Sequence, residues 1–153
     1  MLREKKMSLR KKMSLALAPL ALLACAESAA AATIEVVKSP YCGCCTHWVE
    51  YLRAEGFDVR VTEAEDVTPA ARRLGVPDDL RSCHTASVEG YAIEGHVPAA
   101  DIRRLLAERP DAAGIAVPGM PVGSPGMEQG ERRQRYTTIL FRRDGSRQPF
   151  AQH

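Results

Sequence analysis

Apolar residues recur along the first part of the chain at spacings that predict a strand, a helix and a second strand. The segment 33–38 predicts a short strand. Four residues then recur at the spacing of an inward-facing helical surface, on a helix that extends to about Ala54: Cys45, Trp48, Val49 and Leu52. Apolar and polar residues alternate over 57–61, as in a half-buried strand. Together these segments predict a strand–helix–strand unit of about thirty residues, the usual size of a βαβ motif.

The middle of the chain continues this succession of helices and strands. Thr68 suits the cap of a second helix, and Pro69 suits its first turn. One or two short strands are predicted within 85–94. A third helix begins near Pro98 and stops at Pro110, and three of its residues face inward: Ile102, Leu105 and Leu106.

A stretch dense in glycine and proline, 112–130, follows the third helix. Such a stretch is often a flexible linker. We expect an ordered loop at the functional site instead, because Met120 and Met127 lie within it. A β-rich strand is predicted over 136–141, and residues 148–153 either add a last short strand or stay irregular.

The order of these elements predicts a single α/β domain over 33–153, with a thioredoxin-like sheet flanked by helices. A cysteine motif lies at the N-terminus of its first helix. Met120-Pro121 precedes the last strands, where folds of this class often place a cis-proline that faces the cysteines. This last expectation is an analogy between folds.

The first 32 residues have the composition of an export signal. Basic residues precede an apolar run at 15–23 that is too short to span a bilayer. The alanines at 29–32 suit cleavage by a signal peptidase. Export implies an oxidising compartment. The alternative is a lipobox at 22–25, in which Cys25 would carry a lipid and anchor the protein to the membrane.

Removal of this segment reverses the sign of the net charge. The whole chain has 21 basic and 19 acidic residues, of which residues 1–32 hold six and two. The remaining 15 bases and 17 acids give a net charge of −2. The sequence has no basic stripe with interleaved aromatic residues, so we expect no nucleic-acid partner.

Three of the five cysteines fall within four consecutive positions of the predicted strand-to-helix turn: Cys42, Cys44 and Cys45. The start of a helix offers unpaired N–H groups and a positive dipole, which both stabilise thiolate. Thiolate is the form of cysteine that binds metal and attacks disulfides. Cys42 and Cys45 have the C-x-x-C spacing of redox pairs and of metal knuckles. Cys44 adds a sulfur that a simple dithiol does not need.

These three cysteines are too close together to complete a tetrahedral zinc site, and Cys83-His84 is the natural supplement. Soft thiolates and thioethers select Cu(I). A compact set of cysteines also suits sulfur atoms that bridge two metal ions. The residues therefore favour a multinuclear Cu(I)–thiolate site over a mononuclear zinc site.

Five further residues are candidate ligands or site-lining residues: His47, His84, His96, Met120 and Met127. His47 lies one turn after Cys44 on the predicted helix. Core packing is the alternative role for a methionine, and a structural role is the alternative for His96. His153 is terminal, and we expect it to be solvated.

Four motifs in order resemble those of the CopG copper-resistance family, which is distinct from the ribbon-helix-helix repressor of the same name. They lie at 39–45, 82–85, 94–98 and 117–128 and read SPYCGCC, SCHT, EGHVP and VPGMPVGSPGME. The resemblance covers essentially the whole mature chain. It implies a periplasmic, thioredoxin-like protein that handles copper or changes its redox state. The implied partners are copper ions and other periplasmic copper-handling or redox proteins. The implied ligands of a cysteine-bridged copper cluster are Cys42, Cys44, Cys45 and Cys83.

Two other functions fit the cysteine pattern. A thiol–disulfide oxidoreductase would act on proteins through Cys42 and Cys45, although Cys44 and Cys83 would compete by forming wrong disulfides. A small structural zinc domain is the third possibility, although the order of ligands is irregular for that class.

Overall fold

The computed structural model describes residues 32–153. The predicted export signal, apart from its last residue, and the lipobox cysteine Cys25 lie outside this range. Within it, three α-helices accompany one mixed sheet of seven strands. The prediction of an α/β fold is therefore confirmed. Among residues 32–153, no helix has the length and apolar character needed to cross a bilayer.

The elements follow one another as β1 (Thr33–Lys38), α1 (Gly43–Ala54), β2 (Asp58–Glu63), α2 (Thr68–Arg73), β3 (His84–Val88), β4 (Tyr91–Gly95), α3 (Ala99–Glu108), β5 (Gly114–Val117), β6 (Thr137–Phe141) and β7 (Arg147–Gln152). Their order across the sheet is β2-β1-β3-β4-β5-β6-β7. The pairs β1–β2 and β4–β5 are parallel, and the other neighbours are antiparallel. The predicted strand–helix–strand unit is therefore present as a parallel βαβ motif, and the last strand predicted as one possibility forms β7.

Helix α1 buries the face that its apolar spacing predicts. All four residues of that face are buried: Cys45, Trp48, Val49 and Leu52. They pack into a core that includes Ile34 of β1 and Ile93 of β4. The indole Nε1 of Trp48 donates a hydrogen bond to the carbonyl oxygen of Val97 at 2.9 Å. The apolar face of α1 is buried, and its one indole N–H is hydrogen-bonded. The helix therefore holds its N-terminal cysteines in a fixed position against the sheet.

The structure corrects the prediction that the whole stretch 112–130 is a loop. Residues Gly114–Val117 form β5, which is buried along its whole length between β4 and β6. Gly114 allows this close pairing, because a Cβ at that position would lie 2.1 Å from the carbonyl oxygen of Ala92. The remainder, 118–130, contains no helix or strand and is held by its own backbone hydrogen bonds. An ordered loop is therefore present, but it is shorter than predicted.

Two local predictions about the backbone are wrong. Val67 rather than Thr68 occupies the cap of α2, and the carboxylate of Asp66 accepts a hydrogen bond from the Thr68 N–H at 2.8 Å. Every peptide bond within residues 32–153 is trans, including the one before Pro121. The unusual backbone at this point is instead the left-handed conformation of Met120, with φ of 45°.

His153 is exposed, as predicted, but its ring also makes two contacts that the sequence does not indicate. Its Nε2 lies 2.9 Å from Oδ2 of Asp101, a buried residue of α3. Its ring stacks on Tyr136 with 4.7 Å between ring centroids. These contacts fix the C-terminus against α3, on a part of the domain that does not include the cysteines.

Candidate metal centre

The start of α1 places two cysteines side by side. Cys42 is the N-cap residue, and its sulfur accepts a hydrogen bond from the backbone N–H of Cys45 at 3.3 Å. A disulfide joins Cys42 to Cys45. Cys42 is half-buried, whereas Cys45 is completely buried beneath the helix. The C-x-x-C pair is thus an oxidised pair with one sulfur nearer to solvent.

Two further sulfurs approach this pair as free thiols. Sγ of Cys44 lies 3.5 Å from Sγ of Cys42. Cys83 reaches the site from the residue before β3, and its carbonyl oxygen lies 3.6 Å from Sγ of Cys45. The sulfur atoms of all four cysteines lie within 4.8 Å of one another and could hold a metal ion. The structure therefore gathers four sulfurs that the sequence places in two distant segments.

Cys83 also belongs to a second group, with two histidines. Its Sγ lies 3.4 Å from Nδ1 of His84 and 3.3 Å from Nε2 of His96. The antiparallel pairing of β3 with β4 brings the start of one strand beside the end of the other, and the two histidines lie there. The ligand atoms of this group also lie within 4.8 Å of one another. Cys83 is common to both groups and connects them.

The surroundings of the two imidazoles favour them as neutral donors. Nδ1 of His96 lies 2.8 Å from the carbonyl oxygen of Pro125. A carbonyl oxygen only accepts, so Nδ1 carries the proton and the lone pair of Nε2 points toward Cys83. Nε2 of His84 is buried and has no hydrogen-bond partner among residues 32–153. A buried nitrogen without a partner is costly, whereas Nδ1 of the same ring faces Cys83 and is the nitrogen placed to act as a metal donor.

Burial sets the protonation of the site. It lowers the pKa of His84 to about 3, with a further contribution from His96. Burial also lowers the pKa of His96. It raises the pKa of Cys83 to about 12, and the neighbouring Cys44 adds to this rise. At neutral pH the imidazoles are therefore uncharged and Cys83 is a thiol, so that a metal ion bound by this sulfur must displace a proton.

The loop 118–130 lies against α1 beside the cysteines. A Cβ added to Gly126 would lie 2.7 Å from the backbone nitrogen of Trp48 and 2.8 Å from the carbonyl oxygen of Cys44. Met127 is half-buried in this loop, and Met120 is 42% exposed. His47 is exposed on α1 and belongs to neither group of converging ligand atoms. The structure thus brings together six predicted site residues: Cys42, Cys44, Cys45, Cys83, His84 and His96.

Sequence reasoning missed Glu94, which lies on β4 beside the site. Glu94 is 1% exposed, and its Oε1 accepts a hydrogen bond from the backbone N–H of Ser82 at 2.6 Å. Burial raises the pKa of Glu94 to about 7. The signal in the sequence is a lone acid within an otherwise apolar strand, two residues before His96. An acid at such a position is rarely buried without a structural or functional reason.

These features define a small α/β protein with a candidate metal centre of four cysteines and two histidines at the start of one helix. A family model described as a protein of unknown function, DUF411, matches residues 80–127. A solved structure titled copper resistance protein CopG, form 2, is 46% identical and has a TM-score of 0.77; the match covers 80% of this chain and 98% of that chain. A second, form 1, is also 46% identical, with a TM-score of 0.75 and coverage of 79% and 96%. No curated protein matches the chain. The chain belongs to the CopG family of copper resistance proteins.

Proposed function

We propose that this protein binds Cu(I) in the periplasm and serves copper resistance. The observation that carries the proposal is the convergence of four cysteine sulfurs within 4.8 Å of one another. Thiolate sulfur selects Cu(I) over harder divalent ions. The titles of the two related structures support a role in copper resistance. The composition of residues 1–32 supports export.

We further propose that the site is multinuclear and bridged by cysteine sulfur. The two groups offer six ligand atoms, four sulfurs and two imidazole nitrogens, which is more than one ion in a four-coordinate site uses. Cys83 belongs to both groups, so its sulfur is the natural bridge between ions held on either side. Nε2 of His96 and Nδ1 of His84, which both face Cys83, complete the set on one side. Met120 and Met127 are proposed as thioether ligands from the adjoining loop.

The disulfide gives this site two states. Reduction of the Cys42–Cys45 bond takes up two electrons and two protons and yields two thiols. Loss of those protons gives thiolates, which the N-terminus of α1 stabilises. The oxidised protein offers the sulfurs of Cys44 and Cys83, whereas the reduced protein offers four. Copper binding is therefore coupled to the redox state of the protein, and this coupling supports a proposed redox role in which two Cu(I) ions, oxidised to Cu(II), would balance the reduction of one disulfide.

The test is a titration of the purified protein with Cu(I) after anaerobic reduction, with free thiols counted in parallel. We expect more than one copper per chain and protection of the thiols from alkylation. Cys42→Ser and Cys83→Ser should each lower the stoichiometry, and Zn(II) should not displace Cu(I). An unchanged stoichiometry in both variants would refute the proposal. Equal binding of zinc and copper at the same residues would favour a structural zinc domain.

A second candidate function is protein thiol–disulfide exchange through Cys42 and Cys45. The observation that favours it is the disulfide at the start of α1, with Cys42 half-buried and Cys45 buried. A thioredoxin-like arrangement of the βαβ unit is proposed for this reason also. The test is to replace Cys45 with serine and to look for a mixed disulfide between Cys42 and a substrate protein. A two-electron potential of roughly −120 to −270 mV is expected of such an exchanger.

A further inference from the structure

Glu94 is a buried carboxylate that is hydrogen-bonded to the residue directly before Cys83. Its Oε1 accepts the hydrogen bond from the backbone N–H of Ser82 at 2.6 Å, and Ser82 directly precedes Cys83. Its second oxygen, Oε2, has no hydrogen-bond partner among residues 32–153. The side chain therefore does not belong to a surface ion pair. Its hydrogen bond of 2.6 Å is to the segment that carries Cys83, and the hydroxyl of Thr85 approaches it from the neighbouring strand.

Close packing reinforces this contact. A Cβ at Gly95 would lie 2.9 Å from Cβ of Ser82 and 2.5 Å from the carbonyl oxygen of Val117. Ser82 therefore rests directly on the backbone at the end of β4. On its other side, the carbonyl oxygen of Cys83 lies 3.6 Å from Sγ of Cys45. The segment 82–83 is held between β4 and α1, and Glu94 supplies the hydrogen bond on the β4 side.

We infer that Glu94 is a positioning residue for Cys83, an inference that rests on the proposed copper site for its functional meaning. It holds the Ser82 N–H so that Sγ of Cys83 stays 3.3 Å from Nε2 of His96 and close to the other three sulfurs. Because Cys83 is the one residue shared by both ligand groups, its placement decides whether they form one site. Glu94 itself does not bind the metal in this scheme.

Two substitutions separate the role of the acceptor oxygen from that of the side-chain volume. Glu94→Gln keeps an oxygen that can accept from Ser82, and its amide group takes the place of Oε2. Thr85, the cross-strand neighbour of Glu94, has a buried hydroxyl without a partner that can accept from that amide. Glu94→Leu removes the acceptor. Ser82→Pro removes the backbone donor together with the Ser82 hydroxyl, which lies 3.9 Å from Sγ of Cys83, and Ser82→Ala removes the hydroxyl alone. Arg81 already has the extended backbone, with ψ of 148°, that a residue before proline adopts.

The first readout needs no copper. In the disulfide-containing protein, Cys44 and Cys83 are the free cysteines of the described residues, so that their initial rates of alkylation can be compared within one sample. Peptide mass spectrometry measures the ratio of the two rates. We expect Glu94→Leu and Ser82→Pro to change this ratio about tenfold, the effect of losing one buried hydrogen bond. Glu94→Gln should stay within about twofold of the wild type.

The second readout is the Cu(I) affinity of the reduced protein, measured against a chromogenic chelator. Loss of a residue that orients a ligand weakens metal binding about 10- to 100-fold, and we expect this for Glu94→Leu but not for Glu94→Gln. Asp101→Leu is the matched control, because Asp101 is also a buried carboxylate but bonds to Thr138 and His153. It should destabilise the fold and leave the alkylation ratio unchanged.

Three results would overturn the inference: a wild-type alkylation ratio in Glu94→Leu, the same change in Glu94→Gln as in Glu94→Leu, or an equal change in Asp101→Leu. If Glu94→Leu does not fold, the difference in this ratio between Ser82→Pro and Ser82→Ala decides the question. If the wild-type protein binds no copper, the proposed function fails, whereas the alkylation ratio still reports whether Glu94 positions Cys83.

Discussion

Gly126 is the point at which the loop 118–130 rests on α1, and its replacement by alanine tests that contact. The residue has φ of +81°, and an added Cβ would lie 2.7 Å from the backbone nitrogen of Trp48. Side chains of L-residues in the left-handed region cost about 1–2 kcal/mol. Real Cβ contacts are essentially never shorter than 3.0 Å, so the loop must also move outward by about 0.3 Å or more. Overpacking of this kind costs about 1–3 kcal/mol.

Gly126→Ala should therefore lower the free energy of unfolding by about 2–5 kcal/mol. Gly119→Ala is the matched control in the same loop. Its φ is +78°, but an added Cβ would meet no atom within 4 Å. Gly119→Ala should lower the free energy of unfolding only by the cost of the left-handed backbone, about 1–2 kcal/mol. The difference between the two variants isolates the packing of the loop on the helix.

The assay is urea unfolding of the purified, disulfide-intact protein, followed by the fluorescence of its single tryptophan, Trp48, which is completely buried. The outward shift should also move Pro125 and weaken its bond to His96, so Gly126→Ala should bind Cu(I) less tightly than Gly119→Ala. Equal losses of stability in the two variants would show that the loop does not rest on α1, and the reasoning would fail.

Two further predictions concern buried polar groups. Trp48→Phe removes the 2.9 Å hydrogen bond to Val97 and leaves a buried carbonyl without its partner, so urea unfolding followed by circular dichroism should show a loss of about 1–3 kcal/mol. In the metal-free protein, the folded-state pKa of His84 is about 3 against an ordinary 6.5. Only the unfolded state gains this proton as the pH falls below 6.5, so stability should fall by up to about 1.4 kcal/mol per pH unit. Glu94 opposes this change, because its pKa is raised from 4.5 to about 7 and the folded state holds its proton between those values. Glu94→Gln should therefore lose stability more steeply than the wild type between pH 6.5 and 4.5, and parallel pH profiles would contradict this assignment.

The first half of the fold could be predicted because local pattern and tertiary packing agree there. The spacing of Cys45 and Trp48 describes the buried face of α1, and the alternation over 57–61 describes β2 to within two residues at either end. Strand β5 could not be predicted in the same way. Its four residues are buried on both faces and show no alternation, and the glycine that permits their close pairing looks like the start of a loop.

The residue types at the candidate site could be predicted, but the contacts between its residues could not. The residue types and the spacing at 42–45 indicate sulfur chemistry before any fold is known. That His96 meets Cys83 follows from the pairing of β3 with β4, which brings together residues 13 positions apart. The roles of Glu94 and Asp101 depend on burial. Nothing in the local sequence distinguishes these acids from solvated ones, except the apolar strand that surrounds Glu94.

The β3–β4 hairpin carries most of the site's donor residues in one contiguous segment, which could be grafted onto another protein. The contiguous segment 82–96 carries Cys83, both imidazoles, the carboxylate of Glu94 and its donor Ser82, and the pairing of β3 with β4 sets their relative register. The remaining sulfurs occupy four residues at 42–45. A protein engineer who wished to move this donor set to another scaffold would need one hairpin graft and one helix start on the neighbouring strand. Fewer than twenty residues would be transplanted.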